Sequence, residues 1–136
     1  MVFESIVGVG LDTASLLMRV ALGAIFVIHG YPKLKSGGKD AGQWLKGMGI
    51  PPGFGLFAGV VEFFGGIALI TGLFTSVVAG LFTLWMLALI WLSVVKVHKK
   101  FVGGYEFDVL LLLFSLALAI VGVGAFSLDH LLRFVV

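Results

Sequence analysis

The chain has 136 residues, 60% of them hydrophobic and 12% charged, with a mean hydropathy of +1.19. Soluble domains carry about 25% charged residues, so this chain cannot cover a water-facing surface and belongs in a bilayer. Its net charge of +2 gives no support for a nucleic-acid partner, and the absence of cysteine excludes disulfides, thiol exchange and thiolate-held metal or iron–sulfur centres.

Four segments are long and apolar enough to cross a bilayer, which takes roughly 20 residues as a helix. The first is predicted over residues 13–31, with Asp12 or Thr13 as its N-cap. The sequence ahead of it, Met1-Val-Phe-Glu4, has no basic region, so this span is expected to act as an uncleaved insertion signal. The second span is predicted over residues 54–74, the third over 76–97 and the fourth over 106–126. Strict polar alternation is absent, which favours helices over barrel strands.

The connections differ in character. Between the first two spans, Asp40-Ala-Gly-Gln-Trp-Leu-Lys46 reads as a short interfacial helix, ended by Gly49-Ile-Pro-Pro-Gly53. A tight turn near Thr75 follows the second span. The third connection, Lys96 to Tyr105, is basic, and the tail after Ser127 suggests a surface helix with Leu131, Leu132 and Phe134 on its apolar side. Of the 9 Lys and Arg residues, all but Arg19 and Arg133 lie in or beside the first and third connections. The positive-inside rule then places loops 32–53 and 98–105 in the cytoplasm and both termini outside. The expected architecture is all-α: an integral membrane four-helix antiparallel bundle, one domain over residues 1–136.

Two charges lie deep within these spans, away from their ends. Glu62 is the sole charge of the second span and Arg19 lies inside the first. An intramembrane charge is costly unless paired, protonated or wet, so each marks a candidate site. At 100° per residue, Gly55, Gly59, Glu62 and Gly66 form one stripe, a small-residue face on which another helix can come close. Tight packing accounts for the glycines but not for the carboxylate. Counting about 1.5 Å per residue from the span ends puts Arg19 and Glu62 about 6 Å apart in depth, so an ion pair between them is geometrically open. His29, Lys33, Lys96, His98, Glu106 and Asp108 gather near the basic membrane boundary. His98 shares an azimuth with Gly80, Thr83, Leu87 and Trp91, the expected inward face of the third span. The spacing of these groups carries no metal-binding signature, and no phosphate loop, zinc-protease motif or nucleophile elbow is present.

The pieces Leu17-Met-Arg19-Val-Ala-Leu-Gly23, Phe26-Val-Ile-His29-Gly30-Tyr-Pro-Lys33, Val61-Glu62-Phe-Phe-Gly65-Gly66 and Ser127-Leu-Asp129 together resemble the DoxX family of small four-helix membrane proteins, in the wider group that includes DoxD. The resemblance covers nearly the whole chain. At the end of the fourth span, Val123, Ala125 and Phe126 stand where many relatives have Pro, Arg and Tyr, so Asp129 must find another partner, with Arg133 on the following turn as the candidate. The resemblance implies a respiratory or redox-associated membrane subunit that interacts with quinone or quinol as its cofactor or substrate. Arg19, Glu62 and His29 are then the expected ligand-binding or proton-transfer residues, with His98, Glu106 and Lys33 as a secondary entrance. Two other functions fit the same charges: a small oligomeric transporter or ion-coupled carrier, and a purely structural membrane subunit. The expected surroundings are the lipid bilayer and either other membrane subunits or further copies of this chain.

Overall fold

The computed structural model describes residues 1–133. Phe134, one of the residues expected on the tail helix, lies outside them. The chain forms helices α1 (Val2–Lys35), α2 (Lys39–Lys46), α3 (Phe54–Thr71), α4 (Thr75–Trp91), α5 (Glu106–Val121) and α6 (Leu128–Leu131). One π-helical turn, Leu92–Lys96, prolongs α4, and a bent turn, Phe101–Tyr105, leads into α5. Four segments are long and apolar enough to cross a membrane: Val2–Lys35, Phe54–Thr71, Thr75–Lys96 and Phe101–Val121. They alternate in direction, which gives the expected four-helix antiparallel bundle.

The helix ends differ from the sequence reading for identifiable reasons. No proline precedes residue 13, and the helix runs through Gly8 and Gly10, so α1 starts at Val2 and continues for 34 residues. Asp12 does not cap it; its carboxylate accepts the backbone N–H of Ala125 at 2.8 Å. At the other end Pro32 sits in the last turn, where its missing N–H costs one helical bond without stopping the helix. Helix α3 stops at Thr71 because Gly72 adopts the left-handed conformation of a C-cap, with φ 74°. Helix α5 ends at Val121 instead of near Phe126, since Gly122 turns the chain with φ 81°. Ending early frees the carbonyls of Gly122 and Phe126 for use by side chains of α1. Helix α6 is N-capped by the Ser127 hydroxyl, which accepts from the His130 N–H at 3.1 Å.

Helices α1 and α3 form the tightest contact, and glycine makes it possible. A Cβ added to Gly23 would lie 2.5 Å from the Gly66 carbonyl oxygen, and one added to Gly30 would lie 2.5 Å from the Phe63 nitrogen and 3.0 Å from the Gly59 carbonyl oxygen. Gly23 meets Gly66 and Gly30 meets Gly59, so the two contacts are two turns apart on each helix and run in opposite directions. They fix the antiparallel register. The pair α1–α3 then packs on α4–α5 through Leu22, Phe26, Leu69, Phe82, Met86 and Leu118. Phe26 stacks on Phe82 with ring centroids 3.8 Å apart.

The inward face of α4 is a correction to the sequence reading. Ala79, Phe82 and Met86 face the core, continued by Ser93. Leu87 and Trp91, expected to point inward, are about half exposed to the surroundings, at 50% and 53%. The α4 sequence is apolar all round, so it carries no periodic signal to tell one face from another.

Val at position 66 would drive its side chain into the α1 backbone. Gly66→Val should lower stability in detergent by about 2 kcal/mol, the usual scale for overpacking, measured by thermal or denaturant unfolding. Gly80→Ala is the matched control, because no atom lies within 4 Å of the added Cβ, and should be neutral or slightly stabilising.

Candidate functional site

The α1–α3 register decides which charges meet. Along α3, Arg19 comes level with Ile70, whose carbonyl lies 3.5 Å from its Nη1. Glu62 is eight residues back toward the basic end, about 12 Å along the axis. The Arg19–Glu62 pair left open by the span ends therefore does not form. The depth count took Tyr31 and Phe54 as level, whereas α1 continues to Lys35 and the glycine contacts set a different offset.

Glu62 pairs with Lys33 instead. Lys33 Nζ donates to Glu62 Oε2 at 2.5 Å, and Trp85 Nε1–H donates to Oε1 at 3.3 Å. Both carboxylate oxygens are thus held, one from α1 and one from α4. Glu62 is 2% exposed, while the Lys33 side chain keeps 28% exposure. Gly59 permits this arrangement, since a Cβ there would sit 2.9 Å from the Lys33 Cβ. The lysine stem lies over the missing side chain and its ammonium reaches one turn further along α3.

The ion pair borders two cavities. The larger, about 240 Å³, opens between α2, α3 and α4. Helices α3 and α4 follow each other through a tight turn but touch only sparsely, so a cleft remains between them. Trp44 and Leu45 of α2 close one side of its mouth, Phe54, Ala58, Trp85, Leu89 and Trp91 line its walls, and Lys33 and Glu62 are its only charged groups. The smaller cavity, about 120 Å³, lies on the other side of the pair, lined by Phe26, His29, Met86, Phe107, Asp108 and Leu111 in addition to Lys33 and Glu62. Ser93 Oγ donates to Asp108 Oδ2 at 3.3 Å.

The remaining sequence candidates sit elsewhere. His98 is exposed in the basic connection, with φ 57°. Glu106 is exposed and accepts the Gly103 N–H at 2.8 Å, which closes the turn before α5. Arg19 is fully buried at the far end, where its Nη2 donates to the Phe126 carbonyl. Asp129, also fully buried, does not pair with Arg133. Its carboxylate accepts the N–H groups of Phe74 at 2.7 Å and Thr75 at 2.9 Å, capping α4 from the tail. The Ser15 hydroxyl donates to the Gly122 carbonyl at 2.8 Å and completes this fastening of the tail.

Structure thus brings together Glu62, Lys33 and His29, and separates them from Arg19, His98 and Glu106. It adds Trp85, and it adds Asp108, which the sequence places at the basic boundary without assigning it to the site. Asp108 had a usable signal: with Leu111, Ser115 and Leu118 it forms an i, i+3, i+7, i+10 stripe, the buried face of α5. Trp85 had none, because every face of α4 is apolar. Among the described residues, no three His, Asp or Glu side chains converge closely enough to hold a metal ion.

The DoxX family model matches residues 14–97, the part of the chain that supplies Lys33, Glu62 and Trp85. The chain belongs to the DoxX family. A similar protein is "Putative oxidoreductase CatD" of Bacillus subtilis (strain 168), 36% identical over 118 residues, which span 87% of this chain and 86% of that protein. No solved structure matches the chain.

Removing one partner of a buried ion pair leaves a charge uncompensated, whereas removing both does not. Lys33→Met should therefore destabilise the bundle by about 3 kcal/mol, and adding Glu62→Gln should recover most of that loss. A double-mutant cycle on unfolding in detergent measures the difference.

Proposed function

We propose that this DoxX protein is a membrane subunit of a redox system and binds a quinone or quinol head in the cleft between α2, α3 and α4. The observation that carries the proposal is an apolar cleft of about 240 Å³ whose single ionic feature is the Lys33–Glu62 pair. Such a cleft, largely apolar with a few convergent polar groups, is the usual form of a small-molecule site. Its volume suits a single ring system, and its lateral opening leaves an isoprenoid tail in the lipid. Lys33 is placed to donate to a quinone carbonyl oxygen and Glu62 to accept from a quinol hydroxyl. Trp85 orients the carboxylate and offers an aromatic edge. The name of the Bacillus subtilis relative supports an oxidoreductase context. The chain has no cysteine to hold a cluster, so electrons would come from a partner protein or pass directly between a reduced substrate and the quinone.

The carrier reading has less support. Between Glu62 and Arg19 the interior is filled by Leu22, Phe26, Leu69, Phe82 and Leu118, all at most 3% exposed. A solute entering at the basic end meets this layer within a single protomer. In keeping with the charge bias of its loops, the proposed orientation places the Lys33–Glu62 end in the cytoplasm, with both termini outside.

The test is binding of a short-chain ubiquinone analogue to the protein in nanodiscs, followed by quenching of tryptophan fluorescence. Glu62→Gln and Lys33→Met should each weaken binding at least tenfold, and Trp85→Phe should remove most of the quenching. Wild-type protein that shows no saturable quenching, or variants that bind as well as wild type, would sink the proposal.

A further inference from the structure

The second cavity has no place in ligand binding, yet it touches the same ion pair. Its character is different. The ligand cleft contains no titratable group beyond Lys33 and Glu62. The smaller cavity adds His29 from α1 and Asp108 from α5, while α4 contributes only the apolar Met86 and Leu89. His29 is exposed and one turn from Lys33, and Asp108 lies in the first turn of α5, at the basic end of the bundle. A cavity of about 120 Å³ with four ionisable groups on its wall has the room and the partners for several water molecules.

We propose that this cavity is an aqueous proton entry to Glu62, with Asp108 and His29 as the groups that exchange protons with bulk water. It rests on the reading of the Lys33–Glu62 pair as the group that faces the ligand. The two cavities then divide the work: one admits an apolar molecule from the lipid side, the other admits protons from water, and the ion pair is the partition. A proton leaves bulk water for the Asp108 carboxylate or the His29 imidazole and crosses chamber water to the Glu62 carboxylate. From there it passes to a quinone oxygen as that ring is reduced, which returns Glu62 to its ionised state beside Lys33. Conversion of a quinone to its quinol takes two electrons, which the partner protein or reduced substrate would supply, and two protons, so Glu62 would hand over one proton at each of two passages and be reloaded through the cavity between them. Each passage would move one proton from water to ligand and leave the protein unchanged. Asp108 touches no ligand, so its role is supply and not chemistry at the ring.

Because the chain has no cysteine, single cysteines report on each cavity without background. Leu111→Cys and Phe107→Cys probe the proposed entry, and Ala58→Cys probes the cleft. In the full-length protein in nanodiscs, a charged thiosulfonate reagent should modify the entry positions at least ten times faster than Ala58→Cys, and N-ethylmaleimide should reach all three. Proton access is read by infrared spectroscopy on protein in acidic buffer transferred to acidic deuterated buffer, on the C=O band of the protonated carboxyl group that Glu62→Gln abolishes. Asp108→Asn should slow the isotope shift of that band about tenfold, and Asp108→Glu should restore it. Equal labelling of both cavities, unreactive entry positions, or an unchanged shift in Asp108→Asn would overturn the proposal. Neither measurement uses a ligand. Failure of quinone binding with the labelling asymmetry intact would remove the ligand assignment alone, and loss of the asymmetry with binding intact would remove the proton entry alone.

Discussion

Everything in this structure follows from how closely α1 and α3 approach. Gly23 against Gly66 and Gly30 against Gly59 bring two backbones together at a distance no side chain would allow. Lipid tails are as apolar as the helix faces, so the hydrophobic effect does little to hold such helices together, and packing at close range has to supply the attraction. The same contact sets the offset between the helices. That offset puts the Lys33 ammonium beside Glu62 and carries Arg19 past it to the far end. A slip of one turn would leave both charges in apolar surroundings, so register and charge pairing support each other.

The close approach of α1 and α3 has a counterpart in the loose contact between α3 and α4. A short turn through Gly72 ties them at the far end, and Asp129 holds that turn by accepting two backbone N–H groups. Toward the basic end they part, which opens the cleft. The amphipathic α2 lies across the opening, with Leu45 buried and Trp44 half-exposed at its rim. A cavity in a small bundle needs one rigid edge and one open one, and here the glycine-lined pair is the rigid edge.

Much of this was legible in the sequence, and the parts that were not share a cause. Four spans, an interfacial helix expected over residues 40–46 and formed over 39–46, the glycine face around Glu62 and the need of a buried carboxylate for a partner could all be read from hydropathy, helical spacing and the cost of burying charge. The partner of Glu62 could not, because pairing depends on the offset between two helices. That offset comes from glycine contacts whose match is visible only when both helices are in place. Asp129 shows the same limit: its carboxylate serves backbone N–H groups more than fifty residues earlier, and backbone donors leave no mark in a sequence. Trp85 lies on a helix apolar on every side, where periodicity carries no information.

The two intramembrane cations are different residues for a physical reason. Arginine keeps its charge under all ordinary conditions and presents five donors in a fixed fork. That suits the far end, where Arg19 joins α1 to the tail through a backbone carbonyl. Lysine is a compact ammonium on a flexible stem and can change partners by rotation. Lys33 has the room to do so, with its stem resting over Gly59 and more than a quarter of its side chain exposed. An arginine at position 33 would lock the carboxylate in a fork. A lysine can release it when another acceptor arrives, as the proposed ligand site requires. Under that proposal the far end stays shut and the basic end is the one whose ion pair opens.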